Sequence, residues 1–596
     1  MSAAQKTTPT AKIEPMLKNM NGADVVIQSL VNAGVSVIFA YPGGFSMPLH
    51  QALTRFRDKI RGILPRHEQG GGFAAQGFAR STGKLGVCMA TSGPGATNLI
   101  TSIADAKMDG IPLLIITGQV TVPSIGSDAF QETPMVEVCR SITKHHYLVT
   151  DVNDLARVMR EAIFVATSGR PGPVLVDIPK DVQVTQVEPV FDQPMHLPGY
   201  NGQLPKAKLD EIEKVASAIQ NAKKPIILAG GGIVAADASA DLMKLVEKTG
   251  IPITTTFTGL SAFPRDHKLS LGMLGMHGNA FTNLAVYDCD LFIALGTRFS
   301  DRVTGKVSEF AKQATVIHVD VDPSEINKVR TANVPIVSDV KYFLTELNKI
   351  VTPPKSDITP WIERIGQWVA NMPQKFNEDS PHILPQAAIH ELWKATKDKG
   401  AIICTGVGQH QMWTAQFYGF SKPRTFLSSG GLGTMGFGLP AAMGAKVACP
   451  EKIVVDIDGD GSFQMNIQEM GTCFCEKIPV KVMLLNNQHL GMVVQWEDRF
   501  HASNRAHTYL GPIDNPETFG KGTGASPETR YPDFVAIAKG YGWEAMQVSK
   551  KEELAAAIET MIKSDRPFLL DVQVPYQEHV LPMTPPGGTV FDMIRE

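Results

Sequence analysis

The segment from Ile453 to Asn487 constrains the fold of this chain more than any other stretch. Ile453-Val454-Val455-Asp456-Ile457 is a short apolar run of the kind buried on both faces in a parallel sheet, and it leads into Gly459-Asp460-Gly461. The pattern predicts a helix over Phe463 to Cys475 and a second buried strand over Val480 to Leu485, which ends at Asn486-Asn487. Asp460 and Asn487 then stand at neighbouring strand ends, on the carboxyl edge where open α/β sheets hold ligands. Glycines there let backbone N–H groups approach a phosphate, and one carboxylate, one amide oxygen and phosphate oxygens suit octahedral Mg²⁺. For Gly-Asp-Gly alone, a tight βα turn beside an Asn-rich loop is the plainer reading. The added Asn486-Asn487 favours a diphosphate-and-metal cradle.

Strand and helix alternation extends over the whole chain in three blocks, and 596 residues are too many for one core. The domain plan is a tail over 1–21, domains over 22–190, 205–350 and 385–575, and a C-terminal tail over 576–596, with proline-rich polar stretches between the blocks. The first block predicts strands at Val37-Ala40, Gly86-Ala90, Leu113-Ile116 and Val174-Asp177, and the second at Pro225-Ala229, Leu291-Leu295 and Val316-Val319. The fold class is α/β, each domain a mainly parallel sheet flanked by helices. The first and third blocks read as one architecture used twice.

Partners follow from charge. Lysine plus arginine number 56 against 59 acidic residues, a net charge of −3, which offers no basic field for nucleic acid or anionic membrane. The uncharged run Gly110 to Ser127 is broken by Pro112, Gly118, Gln119 and Pro123, so a strand and loop explain it better than a membrane span. Seven cysteines without C-x-x-C spacing suggest a reducing compartment. The first twenty residues lack the apolar core of a signal peptide, and a cytoplasmic location is expected.

Other motifs leave two readings each. Glu68 opens a helix after Pro65-Arg66-His67, where an acid either complements the helix dipole or serves a cofactor that needs a carboxylate. Thr91-Ser92-Gly93-Pro94-Gly95-Ala96-Thr97-Asn98 is a structural turn or an anion-binding one. Ser429 to Gly438 is dense in glycine for tight packing or for approach to a ligand, and Met435 within it is a gap-filler or an apolar wedge. Trp496 lines a pocket above the cradle or is buried in a core. His410, His489 and His507 show no metal-ligand periodicity.

From about Gly22 onward the chain resembles the thiamine-diphosphate enzymes, specifically the acetolactate synthase (acetohydroxyacid synthase) catalytic-subunit family. The likeness is carried by Tyr41-Pro42-Gly43-Gly44, His67-Glu68-Gln69-Gly70-Gly71, Thr91 to Asn98, Asp128 to Pro134 and Ser168-Gly169-Arg170-Pro171-Gly172-Pro173. Gly406 to Trp413, Asn486 to Met492 and Gln577 to Met583 carry it further. The resemblance implies a thiamine-diphosphate-binding fold used twice around a Rossmann-like FAD domain. It also implies pyruvate decarboxylation and carboligation to pyruvate or 2-ketobutyrate, for branched-chain amino-acid synthesis. Thiamine diphosphate, Mg²⁺ and a structural FAD are the implied cofactors. A homodimer or homotetramer with active sites at the subunit interface, and a small regulatory subunit, are the implied partners.

Residue by residue, the resemblance makes Glu68 the acid at the pyrimidine ring, in a buried setting, and Met435 the wedge that bends the cofactor. Asp460 and Asn487 become Mg²⁺ ligands with the His489 carbonyl. Phe130, Gln131 and Lys180 face substrate, and Trp496 shapes the acceptor pocket. Tyr41, Gly44, Pro94, Asn98, Val407, Gly408, Gln409, His410, Gly433, Gly459, Gly461, Ser462, Gly491 and Met492 complete the thiamine diphosphate set. For FAD the matching positions are Arg170, Gly231, Gly232, Thr256, Met276, His277, Gly278, Gly296, Arg298, Asp301 and Asp320. Phe45 departs from the family pattern at a position that bears on pocket size or inhibitor access, and Thr121-Val122-Pro123 at one that bears on the inhibitor channel; Ser300 and Pro586 depart as well, and none of these touches the cofactor chemistry. Gly511 to Arg530 is longer than the family pattern and is expected to be a lid. A pyruvate oxidase-like enzyme is the nearest alternative, and a catalytically inert scaffold the non-enzymatic one.

Overall fold

The computed structural model describes residues 20–512 and 531–596. The 1–21 tail lies outside the described residues except for Met20 and Asn21, and the 511–530 insertion except for Gly511 and Pro512. The chain divides into two compact units, one of residues up to Gln76 with Lys84–Gly202, the other of Gly77–Gly83 with the chain from Gln203 onward.

The first unit holds β1 (Met20–Asn21), β2 (Val37–Ala40), β3 (Arg61–Ile63), β4 (Gly86–Ala90), β5 (Leu113–Gln119), β6 (His145–Leu148), β7 (Pro173–Pro179) and β8 (Gln186–Val187). β1 and β8 pair antiparallel, and Asn21 with Asp24 forms a capping box that starts the helix Gly22–Asn32. The other six strands make a parallel sheet in the order β3-β2-β4-β5-β7-β6. β5 and β7 are buried along their whole length, the mark of a parallel sheet covered on both faces. Leu114, Ile116, Val174 and Val176 pack in one core with Val26 and Leu30 of the first helix and Met159 and Ala162 of the helix Leu155–Thr167.

The second unit holds two sheets. The first comprises β9 (Pro225–Ala229), β10 (Ile253–Thr255), β11 (Ser270–Met273), β12 (Leu291–Leu295), β13 (Thr315–Asp320) and β14 (Val334–Val337), all parallel in the order β11-β10-β9-β12-β13-β14. In chain order these run third, second, first, fourth, fifth, sixth, the arrangement of dinucleotide-binding folds. The second comprises β15 (Ile402–Thr405), β16 (Phe426–Leu427), β17 (Val454–Gly459), β18 (Lys481–Asn486), β19 (Glu544–Val548) and β20 (Phe568–Gln573), parallel in the order β16-β15-β17-β18-β20-β19. This is the order of the first unit's sheet: second, first, third, fourth, sixth, fifth. One architecture is used twice, and in chain order a Rossmann-type sheet comes between the two copies.

The helix expected over Phe463 to Cys475 is broken into a short helix Asp460–Phe463, a 3-10 turn Gln464–Asn466 and a helix Glu469–Cys475. Polar side chains take up the break: Gln464 Nε2 donates to the Asp460 carbonyl at 3.0 Å and Asn466 Nδ2 to the Gly436 carbonyl at 2.8 Å. The run Gly110 to Ser127 contains β5 and a 3-10 turn at Val122–Ser124, and no helix among the described residues is long and apolar enough to cross a membrane.

Candidate active site

β15 and β17 are neighbours, but the next strand after β15 lies to one side of the pair and the next after β17 to the other. Such a reversal opens a crevice at the carboxyl edge of the sheet. A cleft of about 550 Å³ of empty volume lies there. The chain leaving β15 lines it with Val407, Gly408, Gln409 and His410, and the chain leaving β17 with Gly459, Asp460, Gly461 and Ser462. From beyond β18 come Asn487, His489, Gly491 and Met492. Met435 joins them, its Cε 3.6 Å from where a Cβ on Gly461 would stand. Gly433 is not part of the lining; the nearest atom to a Cβ there is Val407 Cγ1, 4.0 Å away. Trp413, Leu485, Leu490, Val493 and Val574 also line the cleft.

Ser462 stitches this edge together, its Oγ accepting from Val407 N at 3.3 Å and Gly436 N at 3.1 Å. Gly406 must be glycine here, since a Cβ would stand 1.9 Å from Asp458 Oδ1 and 2.2 Å from Ser462 Oγ. Asp458 in turn accepts from Gly459 N at 2.9 Å and lies 3.2 Å from His410 Nε2.

Asp460 is 3% exposed, and burial pushes its carboxyl up to about 8; Asp571 adds to the rise, and backbone N–H groups including those of Gly461 and Asn487 oppose it. No basic side chain among the described residues pairs with Asp460, so its carboxylate suits a cation. Asn487 Oδ1 accepts from His489 N at 2.9 Å. The His489 ring turns back to the Asn487 carbonyl, 2.8 Å from Nδ1, and stacks on Tyr576 at 4.2 Å. A donor set of one carboxylate, one amide oxygen and one carbonyl fits a hard cation, and the glycines beside it fit a diphosphate.

Trp496 is half-buried on the helix Gly491–Phe500, 5.2 Å from the Phe500 ring. It stands one turn beyond Met492 and Val493, which line the cleft, and is not itself a lining residue.

In the first unit, Tyr41 and Gly44 follow β2, Glu68 follows β3, and Pro94 and Asn98 follow β4, three adjacent strand ends. Glu68 opens the helix Glu68–Thr82; Asn98 Nδ2 donates to its Oε2 at 2.9 Å, and its Oε1 lies 3.1 Å from a Cβ position on Gly95. Glu68 is half-buried in the single chain. Gln131 has φ of 62° in a turn where Glu132 accepts from Gly126 N at 2.5 Å and Ala129 N at 3.0 Å, and Phe130 beside it is 82% exposed. Lys180 begins the helix Lys180–Val184, its ammonium 5.7 Å from the Phe45 ring. Sequence reasoning missed Asp177, buried on β7 with its carboxyl pushed up to about 7 by burial. Thr117 and Gln119 donate to it at 2.7 and 2.9 Å, and Gln119 also donates to the Thr133 carbonyl at 2.7 Å, which ties the Phe130-Gln131 turn to the sheet.

The Rossmann-type sheet gathers the flavin candidates of its own unit. Gly231 and Gly232 follow β9, Thr256 follows β10, Met276, His277 and Gly278 follow β11, Gly296 and Arg298 follow β12, and Asp320 ends β13. Gly232 and Gly296 pack backbone to backbone, a Cβ on Gly232 falling 2.7 Å from Gly296 Cα. Thr255 Oγ1 and His277 Nδ1 are buried without a hydrogen-bond partner among the described residues, so this edge suits a polar ligand. Asp301, its side chain 81% exposed beside Arg302, lines a cleft with Met276, whereas Arg170 belongs to the first unit, where it donates to the Met108 carbonyl at 3.4 Å.

Residues 20–138 match the N-terminal TPP binding domain of thiamine pyrophosphate enzymes, 212–347 their central domain and 406–572 their C-terminal TPP binding domain. Those domains and the paired sheets define a thiamine pyrophosphate enzyme. Within that class the chain belongs to the acetolactate synthase family. It is 55% identical to "Acetolactate synthase 1, chloroplastic" of Zea mays over 578 residues, 96% of this chain and 88% of that one. It is 53% identical to "Acetolactate synthase, chloroplastic" of Arabidopsis thaliana over 581 residues, 96% and 84% of the two chains. "Acetolactate synthase 1, chloroplastic" of Nicotiana tabacum is 52% identical over 608 residues, covering 100% and 89%. These names favour the synthase over the oxidase-like alternative. They also correct the expectation of a cytoplasmic location, since these relatives are named chloroplastic. The missing signal-peptide core spoke only against secretion, and organelle transit sequences carry no such core.

Proposed function

We propose that the chain decarboxylates pyruvate and transfers the two-carbon unit to a second 2-ketoacid, forming 2-acetolactate from pyruvate or 2-aceto-2-hydroxybutyrate from 2-ketobutyrate, at the entry to branched-chain amino-acid synthesis. The observation that carries this reading is the cleft between β15 and β17, where the buried Asp460 carboxyl and the Asn487 amide adjoin a glycine-lined edge in a chain of this family. Thiamine diphosphate, when bound, supplies the carbon nucleophile and the electron sink for decarboxylation.

The chain's own residues do the rest. Asp460, Asn487 and the His489 carbonyl would hold Mg²⁺, and Gly459, Gly461, Ser462, Gly408, Gln409 and His410 would surround the diphosphate. Met435 would press an apolar side chain against the bound cofactor as a wedge. Glu68, oriented by Asn98, donates a hydrogen bond to the pyrimidine ring and moves a proton there. Phe130, Gln131 and Lys180 bind and orient the ketoacid, and Trp496 selects the acceptor. The edge formed by Gly231, Thr256, His277, Gly296, Arg298 and Asp320 holds FAD in a structural role. Two or four copies of the chain complete the sites, a reading supported by the 82% exposure of Phe130 in the single chain.

The test is acetolactate formation by the purified full-length protein with pyruvate and thiamine diphosphate, with Mg²⁺ and FAD each added or withheld. Product should require Mg²⁺, and pyruvate should not bleach bound FAD. Stoichiometric bleaching without acetolactate would instead establish an oxidase.

A further inference from the structure

The helix Gly491–Phe500 meets the cleft through Met492 and Val493, but its most enclosed polar group faces elsewhere. Gln495 is 0% exposed. Its Oε1 accepts from Val580 N at 2.7 Å and Gln409 Nε2 at 3.1 Å, and its Nε2 donates to the Val580 carbonyl at 3.1 Å and lies 3.4 Å from Met583 Sδ. The side-chain amide therefore pairs reciprocally with both polar groups of Val580. Gln409, at the start of the helix after Gly408 in the cleft, also donates to the Glu578 carbonyl at 2.8 Å. Farther along the same helix, Asp498 lies 3.0 Å from His579 Nε2, Arg499 donates to His579 Nδ1 at 3.2 Å, and Arg499 reaches the Glu596 carbonyl at 3.0 Å. Positions 495, 498 and 499 share one helix face, so the terminal segment is pinned along that face.

We propose that Gln495 is a positioning residue for the acceptor step: by holding Gln409 and the Glu578–Met583 segment on this helix, it fixes where Trp496 stands. This rests on the reading of Trp496 as the acceptor selector. Gln495 acts through the helix, because adjacent helical residues do not face each other. Only a side chain that carries donor and acceptor in one plane matches a peptide group on both sides. Methionine keeps the length and loses both bonds, while glutamate keeps the acceptor alone.

The test compares Gln495→Met, Gln495→Glu and wild type as full-length protein with thiamine diphosphate, Mg²⁺ and FAD. Amide hydrogen exchange over residues 578–583 should rise about tenfold in Gln495→Met, in proportion to the lost pairing, and less in Gln495→Glu. The ratio of 2-aceto-2-hydroxybutyrate to acetolactate in a competition assay should shift by about threefold or more, with KM for pyruvate less affected than kcat. Thiamine diphosphate affinity should stay within about twofold in Gln495→Glu, which keeps the acceptor for Gln409 Nε2 at the diphosphate end. Wild-type exchange in Gln495→Met would overturn the proposal. So would an unchanged product ratio, provided Trp496→Leu shifts that ratio in the same assay. If Trp496→Leu leaves the ratio unchanged, the acceptor reading fails on its own, and the exchange data alone decide whether Gln495 holds the segment.

Discussion

Asn98 Nδ2 donates a 2.9 Å hydrogen bond to Glu68 Oε2, joining the chain that leaves β4 to the helix that follows β3. The bond orients one carboxyl oxygen and leaves Oε1 toward the small face of Gly95. Glu68 is therefore aimed by a neutral partner that takes no proton from it.

Replacing Glu68 with glutamine keeps the shape of the side chain and removes its capacity to move a proton. Glu68→Gln should lower kcat for acetolactate by about 10²–10⁴-fold while thiamine diphosphate affinity changes little. Steady-state rates and a cofactor titration check both halves, and wild-type turnover would defeat the assigned role.

Much of this arrangement was legible in the sequence because central parallel strands are apolar throughout. Val37–Ala40, Gly86–Ala90, Pro225–Ala229 and Leu291–Leu295 are observed with the expected limits. Edge strands escaped notice: His145–Leu148 is a polar run with one solvated side, and Phe426–Leu427 is two residues long. Asp460 and Asn487 could be placed because glycine and paired asparagine punctuate strand ends. Gln495 and Asp177 could not, since a glutamine in a helix or an acid in a strand carries no local signal. Their partners are set by topology, 85 residues away for Val580 and 60 for Thr117.

The close approach at Gly406 gives a packing prediction. A methyl group there meets Asp458 Oδ1 and Ser462 Oγ, both buried, so Gly406→Ala should cost about 1–3 kcal/mol of stability. It should also weaken thiamine diphosphate binding, because Ser462 ties the Val407 and Gly436 N–H groups together at the cleft. A cofactor titration beside thermal denaturation checks this, and unchanged affinity in a folded variant would separate the packing from the binding.

His277 makes stability depend on pH. Burial, with the Arg302 charge adding to it, lowers its ring to about 4, whereas an unfolded histidine titrates near 6.5. Between these values the unfolded chain takes up a proton that the folded chain does not. The stability contribution is therefore complete above about 6.5 and is lost as pH falls toward 4, by about 3 kcal/mol over that window. His277→Gln should flatten the fall in thermal midpoint between pH 7 and pH 4.5 at a fixed scan rate. An equal fall in both proteins would assign the acid sensitivity to other groups.

Trp496 supplies the prediction closest to specificity. It stands one helical turn past Met492 and Val493, and its indole packs on Phe500, so the ring presents a rigid apolar wall and not a hydrogen-bonding group. An apolar wall separates substrates that differ by one methylene by about 10-fold or somewhat more. Trp496→Leu should therefore reduce the preference for 2-ketobutyrate over pyruvate by about that factor. The total rate of pyruvate consumption should change far less, because Glu68 and Asp460 are untouched. Competition between the two acceptors, read as the ratio of products, decides it, and an unaltered ratio would place the selecting contact on a residue of the cleft lining itself, with Val493 and Met492 the next to vary.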